Sequence, residues 1–526
     1  MSSRSFILSL FLLLLVWGCS NTRFLTEDQL LYTGREKAEI IFEQPETKSA
    51  EVKNYVNSVT SHKVNNALFG RRILPPIGLW TQNYWKVDEK RKFIGWVHKT
   101  LASDQILVSD VNPELRAKNI ESELFDQGYF QTKAWSVIDT SSRNPKKARI
   151  KYFVEVAPPY HYDQIAFDTL RLSMDTLMSQ IKYTKHLKTG DQFNLEHLIS
   201  ARNELSRGVQ NKGYFYYTPD FVELQADTSG DDFKVDLLIS RQEGLSPSQL
   251  AIYGINDIVI YLSRPSDRDS LETDTIHYDG ITIVSRGDLL KPDVLRRSVF
   301  FNRGDTYSYT AYQKSISRLN NLGIFNYARI SYVHSEADSL SDLLDVRIDL
   351  ILSENINVDF EADVVTKSSG YAGPQLSVGV AHGNAFKGAE KVHVQLKGGL
   401  EWQWGNKTGS ELGTLSYEFG IGGGLTFPKI ILPGNQNKSR HFRIHETSVN
   451  IDLDFINRTA YYRMSSHKEE LNYKWGKSQN IHHSFSPIYL NSVNLLETTP
   501  EFDSVVDENI YIRKSFEEQF IFGMNY

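Results

Sequence analysis

The residue types that carry enzyme chemistry are present in this sequence, but none stands at the spacing of an active site. The chain has 14 histidines and 64 acidic residues. It nevertheless lacks a G-x-S-x-G nucleophile elbow, an H-E-x-x-H zinc motif and a phosphate-binding P-loop. The pair His482-His483 stands in a polar stretch without further ligand-type residues at metal-binding spacing. We therefore expect a protein without enzymatic activity, bound metal or cofactor.

The single cysteine, Cys19, indicates a different chemistry, the attachment of a lipid. With one cysteine in 526 residues, intramolecular disulfides and Cys-based zinc sites are excluded. Cys19 follows an apolar run from Phe6 to Gly18, which is shorter than the ~20 residues of a membrane-spanning helix. Residues 1–18 therefore predict a signal peptide, and the ending VWGC is similar to a bacterial lipoprotein signal. The alternative is an ordinary signal peptide in which the cysteine is incidental.

Length and composition describe a folded protein of several domains. Hydrophobic residues make up 40% and charged residues 23% of the chain, which fits a globular protein and not a disordered one. At 526 residues we expect three or more domains. The net charge is only −6, and no run of Lys and Arg is long enough to predict binding of nucleic acid.

A short phrase of glycine, a large apolar residue and phenylalanine occurs three times, as DQGYF, NKGYF and NLGIF. Each copy follows an amphipathic helical pattern, and glycine just past a helix is the usual left-handed cap. Gly128, Gly213 and Gly323 are therefore predicted to mark helix ends, a structural role. We expect the aromatic residues after them to begin strands and to pack beneath the helices. The predicted helical stripes are Leu115, Ile120 and Leu124; Leu195, Leu198, Ile199 and Leu205; and Tyr312, Ile316 and Leu319.

The segments around these phrases repeat one order of elements. After each phrase comes a second alternating strand, and before each helix stand an earlier helix and an opening strand. The predicted second strands are 148–156, 233–240 and 344–352, and the opening strands are 38–42, 162–167 and either 255–261 or 281–284. A Gly-Asp pair precedes the second helix in two units. The sequence thus predicts three β-α-α-β-β modules, at residues 19–157 with a long insert, 158–245 and 246–354.

After Glu354 the helical pattern gives way to stretches of about ten residues in which apolar and polar residues alternate and which are rich in glycine and aromatic residues. This pattern is typical of a transmembrane β-barrel, although a soluble β-sandwich alternates as well. Residues 355–526 supply only six to eight strands, and a barrel with an open edge is not viable in lipid. The alternatives are a small eight-stranded barrel or the N-terminal part of a larger one. We favour the N-terminal part, so the predicted fold class is α+β followed by all-β.

Three such modules followed by a barrel resemble the BamA/TamA family of outer-membrane protein assembly factors, whose periplasmic modules are POTRA domains. The start CSNTRFLTEDQLLYTG is similar to the TamL-like lipoprotein variant of Bacteroidetes-type bacteria. The resemblance covers nearly all of the chain. The Arg-Gly-Phe or Arg-Gly-Tyr motif of a late loop in that family has no match in this sequence.

The resemblance implies a location, partners and a site. The modules would stand in the periplasm, with the barrel in the outer-membrane bilayer and the lipid at Cys19. The partners would be unfolded outer-membrane clients and a periplasm-spanning TamB-like protein. Clients would add to module edges as β-strands and fold at a lateral seam on the first barrel strand, with residues Val358, Phe360, Ala362 and Val364. The alternatives are a two-partner-type secretion pore and a surface lipoprotein with a soluble β-sandwich.

Overall fold

The computed structural model divides into two compact units, Met1–Ser206 with Thr218–Gly244, and Arg207–Tyr217 with Leu245–Tyr526. The predicted signal peptide, Cys19 and most of the insert between residues 61 and 103 lie outside the residues that the structure describes. The described residues are 22, 25–44, 49–65, 77–84, 102–168, 173–181, 187–228, 230, 233–267, 273–335, 342–367, 371–403, 415–431, 444–459, 461–476, 481–508 and 518–526.

The first sheet is built around one long central strand. Its strands are β1 (Leu31–Arg35), β2 (Glu39–Phe42), β3 (Lys133–Ser141) and β4 (Asn144–Val156). The central strand β4 pairs in parallel with β1 and β2 and antiparallel with β3. The helices of this part of the chain are α1 (Ser49–Thr60), α2 (Ile77–Tyr84), α3 (Val108–Val111) and α4 (Pro113–Asp126). Tyr32, Val56, Ile120 and Ile150 are among the residues of the core between helices and sheet.

The second sheet repeats this pairing with three strands, β5 (His161–Phe167), β6 (Val222–Asp227) and β7 (Lys234–Arg241). The central strand β7 pairs in parallel with β5 and antiparallel with β6. The helices are α5 (Ser173–Gln180) and α6 (Leu195–Gln210). On α6 the predicted apolar face is only partly correct. Leu198 and Leu205 are buried, but Leu195 and Ile199 are exposed, as is Leu115 on α4.

The third sheet has the same centre and two additional strands. Its strands are β8 (Gly254–Ser263), β9 (Asp274–Tyr278), β10 (Ile281–Ser285), β11 (Phe325–His334) and β12 (Leu343–Leu352), and its helices are α7 (Pro292–Ser298) and α8 (Tyr309–Asn321). The central β12 pairs in parallel with β8 and antiparallel with β11. The two candidates for the opening strand of the third sheet, 255–261 and 281–284, are both strands. They correspond to β8 and β10, and β10 pairs in parallel with the outer side of β8. Where each predicted module begins and ends stays a prediction.

The second part of the chain forms one antiparallel sheet of eight strands, here called the large sheet. Each strand pairs with the next along the chain. The strands are β13 (Ile356–Thr366), β14 (Tyr371–Gly383), β15 (Lys391–Gln403), β16 (Leu415–Phe427), β17 (Ile444–Arg458), β18 (Tyr462–Gly476), β19 (His483–Thr498) and β20 (Gln519–Asn525). Among the described residues β13 pairs with β14 alone and β20 with β19 alone, so the sheet has two edges. A single continuous sheet differs from the two facing sheets of the sandwich alternative.

Two features of the large sheet differ from the sequence prediction. The chain is mixed α/β followed by a large antiparallel sheet, as predicted. The part after residue 355 is not all-β, however. Helix α9 (Pro500–Glu508) stands between β19 and β20. The alternating stretches on which the prediction depends are 358–364, 375–383, 391–404, 414–427, 448–455 and 517–526, and strands β18 and β19 lie outside them. None of the described helices is long and apolar enough to cross a membrane.

Side chains of the large sheet alternate between an apolar face and a polar face. One cross-strand row on the apolar face consists of Phe360, Val378, Leu396, Ile421 and Leu453. The adjacent row on the polar face consists of Glu361, Ser377, Lys397, Gly420 and Asp454. These five residues come from five neighbouring strands, and the register brings the whole row to one face. The rows continue along the strands, so one face of β13 to β17 is apolar and exposed while the other carries charges.

Candidate functional site

The first Gly-x-Phe phrase packs against elements of the second sheet. Gly128 has φ +92°, and its carbonyl oxygen accepts a hydrogen bond of 2.9 Å from the backbone N–H of Tyr160. The N–H of Phe193 donates to the carbonyl of Tyr160 at 2.8 Å. The ring of Phe130 lies 4.8 Å from that of Tyr160 and 4.9 Å from that of Phe193. A Cβ at Gly128 would lie 2.9 Å from the carbonyl oxygen of Phe193, so glycine is needed for this approach.

The second phrase makes the same contacts within the second unit. Gly213 has φ +103°, and its carbonyl accepts from the N–H of Tyr253 at 2.9 Å. The N–H of Tyr307 donates to the carbonyl of Tyr253, also at 2.9 Å. A Cβ at Gly213 would lie 2.5 Å from Ile252 Cγ2. We call this arrangement, around Gly128 and around Gly213, the glycine joint.

Aromatic packing reinforces the second glycine joint. The ring of Phe215 contacts those of Tyr307 at 5.0 Å and Tyr332 at 5.4 Å, both edge-on or tilted. Burial raises the pKa of the Tyr307 and Tyr332 phenols above the ordinary value. The ring of Phe130 contacts Phe125 of the preceding helix α4 at 4.7 Å, in addition to Tyr160 and Phe193. The ring of Phe215 packs against the core of the third sheet region.

The Gly-Asp pairs lie in the loops just before Phe193 and Tyr307 of the two glycine joints. The N–H of Gly190 donates to the carbonyl of Tyr162 at 2.7 Å, and the N–H of Gly304 donates to that of Ile255 at 2.8 Å. These bonds fix each loop beside the strand that opens its sheet, β5 or β8. Each loop thereby positions Phe193 or Tyr307, whose N–H group donates to the tyrosine carbonyl of the glycine joint.

The third phrase behaves differently. Gly323 has φ +68°, but an added Cβ there would meet no atom within 4 Å. Strand β11 begins two residues later at Phe325, whereas after Gly128 and Gly213 the chain first makes turns. The expectation that every phrase leads directly into a strand is therefore wrong for the first two copies.

Strand β13 is the open edge at the start of the large sheet. The N–H of Gly383 donates to the carbonyl of Asn355 at 2.8 Å, and these two residues stand directly opposite each other. Because hydrogen-bonded and non-bonded pairs alternate in an antiparallel ladder, the even-numbered residues of β13 direct their backbone groups away from β14. These are the predicted seam residues, Val358, Phe360, Ala362 and Val364. The exposed fractions of Val358, Phe360 and Val364 are 66%, 70% and 79%.

The other face of β13 is acidic. Asp359, Glu361 and Asp363 alternate with the apolar residues and stand opposite Gly379, Ser377 and Gln375 of β14. None of the ion pairs within the described part of the large sheet includes these three carboxylates. A strand that added to β13 would therefore meet apolar side chains on one face and negative charge on the other.

The glycine-rich run of β16 lies in the middle of the polar face. Lys397 of β15 reaches Glu418 at 3.4 Å and Asp454 of β17 at 2.7 Å. A Cβ at Gly420 would collide with both Lys397 and Asp454. The absence of a side chain on Gly420 thus lets a cation on one strand pair with a carboxylate two strands away.

The small sheets also have open edges, of which β3 is long and apolar. Trp135, Val137 and Ile138 are 41%, 47% and 44% exposed on its nine residues. Trp135 stacks on Phe153 of β4 with ring centroids 5.5 Å apart and planes at 7°. The edge β9 of the third sheet, in contrast, is five residues long and begins at Asp274. An exposed apolar edge of the β3 kind readily accepts another strand.

No protein-family model and no curated protein sequence matches the chain. Among solved structures it is similar to Haemophilus influenzae BamA POTRA3-5, at 12% identity over 62% of this chain and 99% of that chain, with a TM-score of 0.29. BamA from Haemophilus ducreyi lacking POTRA domains 1-3 is 13% identical over 64% of both chains, with a TM-score of 0.30. CdiB from Acinetobacter baumannii is 9% identical over 64% of this chain and 62% of that chain, with a TM-score of 0.25.

These structural neighbours are POTRA domains of BamA and the protein CdiB, found at low identity and low TM-score. In the Haemophilus ducreyi and Acinetobacter baumannii proteins the match spans less than two thirds of their length.

Proposed function

We propose that the chain is a non-enzymatic assembly factor of the bacterial outer membrane. The observation that supports this most is the large sheet, an antiparallel sheet with one apolar exposed face, one polar face and an open first strand. An exposed apolar face suits contact with lipid, and the polar face suits contact with a water-filled lumen. Residues 355–526 would then be the N-terminal part of an outer-membrane barrel, with β13 as one side of its lateral seam.

The three small sheets act in the periplasm as POTRA-like receptors for unfolded clients. A client strand that adds to an open edge gains backbone hydrogen bonds without a strict sequence requirement. The edge β3 is the best receptor among them, because Trp135 and Val137 add apolar contacts on its exposed face. A periplasm-spanning TamB-like protein is the further partner that we propose, and no cofactor or nucleic acid takes part.

Depletion of the protein from its native cell tests the proposed function. We expect several outer-membrane proteins to fall together in the membrane fraction while their transcripts stay constant. Loss of a single exported protein would indicate a two-partner secretion pore instead. An unchanged outer-membrane proteome would overturn both.

The substitution Ala362→Pro tests the seam. The N–H of Ala362 faces the open edge, so proline removes a donor for an incoming strand and leaves the β13–β14 ladder intact. We expect insertion of clients into the outer membrane to fall at least about tenfold, as for the loss of ~1.4 kcal/mol of pairing. Insertion is measured by protease protection of a labelled client.

The control for this test is Ala362→Val, which keeps the N–H and favours a strand. It should insert clients at the rate of the unaltered protein. Equal rates for the proline and valine variants would mean that the open edge of β13 takes no part in insertion.

Lipidation of Cys19 is tested by Cys19→Ser. We expect the unaltered protein to incorporate labelled fatty acid and the variant to lose all label, because no other cysteine exists in the chain. Retention of label in the variant would contradict attachment at Cys19. The variant should still associate with the membrane through the large sheet, which separates the anchor from the barrel.

A further inference from the structure

The turn between β14 and β15 has an unusual backbone. Within Asn384–Glu390, three residues other than glycine have positive φ, namely Asn384 at +74°, Lys387 at +59° and Ala389 at +61°. Asparagine tolerates this region, but lysine and alanine enter it at a cost because of their Cβ atoms. Contacts elsewhere must therefore stabilise this shape.

Those contacts are with the third sheet and its loops. Asn384 donates from Nδ2 to the carbonyl of Leu289 at 3.0 Å. The backbone N–H of Lys291 donates to the carbonyl of Lys387 at 2.7 Å. Lys387 Nζ also pairs with Asp288 at 2.7 Å, although both side chains are largely exposed.

The buried apolar side chain of the turn is that of Ala389. It is 5% exposed and belongs to the same apolar core as Leu289, Leu295 and Leu344 of the third sheet region. Inside the turn, its N–H donates to Asn384 Oδ1 at 3.0 Å. The left-handed shape is thus what brings the methyl group of Ala389 into the core.

A second contact joins the third sheet region to the large sheet. Arg318 of α8 donates to the carbonyl of Pro428, in the segment that follows β16. Arg318 is 6% exposed, and burial lowers the pKa of its guanidinium to about 10. With the turn, this contact holds the third sheet at two points on the same rim of the large sheet.

We propose that Asn384–Glu390 is a latch whose left-handed shape exists only while it is docked on the third sheet. When the latch leaves the core, its backbone relaxes and one of the two contacts on this rim is lost, so the third sheet shifts more easily against the seam strand β13. The turn and the docking contact thus form one two-state element. The purpose of the latch rests on the proposed function, in which clients pass from the small sheets to that seam.

The test compares two substitutions at one position. Lys387 has φ +59° and an exposed side chain, so Lys387→Gly removes a Cβ that opposes the left-handed shape, whereas Lys387→Val makes that shape harder to adopt. Both variants lose the pair with Asp288 equally. Hydrogen exchange at the amide of Lys291, which donates to the carbonyl of residue 387, reports opening of the latch in the purified full chain. We expect its protection to be at least about fivefold higher in Lys387→Gly than in Lys387→Val.

The amide of Tyr307 is the internal control, since it donates within the third sheet region to Tyr253 and not to the latch. Its protection should stay constant in both variants. Parallel changes at Lys291 and Tyr307, or equal protection of Lys291 in both variants, would overturn the latch. The measurement needs no client, so failure of the depletion experiment leaves this result independent.

Discussion

Gly213→Ala is expected to destabilise the second glycine joint by about 2–5 kcal/mol. Two costs add, because alanine resists φ +103° and its Cβ would lie 2.5 Å from Ile252 Cγ2 and 2.7 Å from Thr306 Cγ2. The measurement is hydrogen exchange at the amide of Tyr253, which donates to the carbonyl of Gly213. Protection at this amide should fall by at least about thirtyfold.

The matched control is Gly304→Ala in the same unit. Gly304 has φ +85°, but a Cβ there would meet no atom within 4 Å. It therefore carries the backbone cost without the steric one, about 1–2 kcal/mol. Equal losses of stability for Gly213→Ala and Gly304→Ala would mean that close approach at the joint contributes nothing.

Leu396→Arg is expected to destabilise the large sheet in a bilayer by about 2–4 kcal/mol. Leu396 stands in the middle of β15, between Val378 and Ile421 on the apolar face, and is 45% exposed. If that face contacts lipid, a guanidinium there leaves water for hydrocarbon. The free energy of unfolding from lipid vesicles, measured by denaturant titration, gives the effect.

The adjacent residue Gln395 provides the control, because it lies on the polar face of the same strand. Gln395→Arg should change the free energy of unfolding by less than about 1 kcal/mol. If Leu396→Arg were equally mild, the apolar face would not contact lipid, and the outer-membrane proposal would lose its main support.

Local pattern predicts much of this fold because most elements obey a single periodicity. The alternation in β13 to β17 follows from side chains that point to opposite faces. Strand β18 breaks that rule, because His467 and Glu469 lie on the face that carries Leu453 and Ile451 on β17. An alternating pattern interrupted by charge does not resemble a strand, and so β18 escaped prediction.

Helix α9 escaped prediction for a different reason. It is nine residues long and stands between two strands, and its fixing contact is the packing of Phe502 on Tyr462 at 5.2 Å. A helix of that length is marginal without tertiary packing. The contact that stabilises it lies about 40 residues away along the chain, beyond the reach of local pattern.

The candidate sites likewise combine local features that the sequence predicts with contacts between distant residues that it does not predict. The sequence marks Gly128 and Gly213 as helix caps, which is a local property. Their approach to Phe193 and Ile252 depends on pairs of residues 39 to 65 positions apart, which no repeat in the sequence specifies. The open edge of β13 likewise becomes visible only from its register with β14.

The glycine joint has a consequence for how such a chain can lengthen. Its hydrogen bonds join backbone atoms, and the same two bonds recur around Gly128 and around Gly213 although the neighbouring side chains differ. A unit that ends in this phrase is therefore compatible with any unit that begins with the matching tyrosine and Gly-Asp loop. Duplication or exchange of whole units could alter the number of small sheets without a new interface having to evolve.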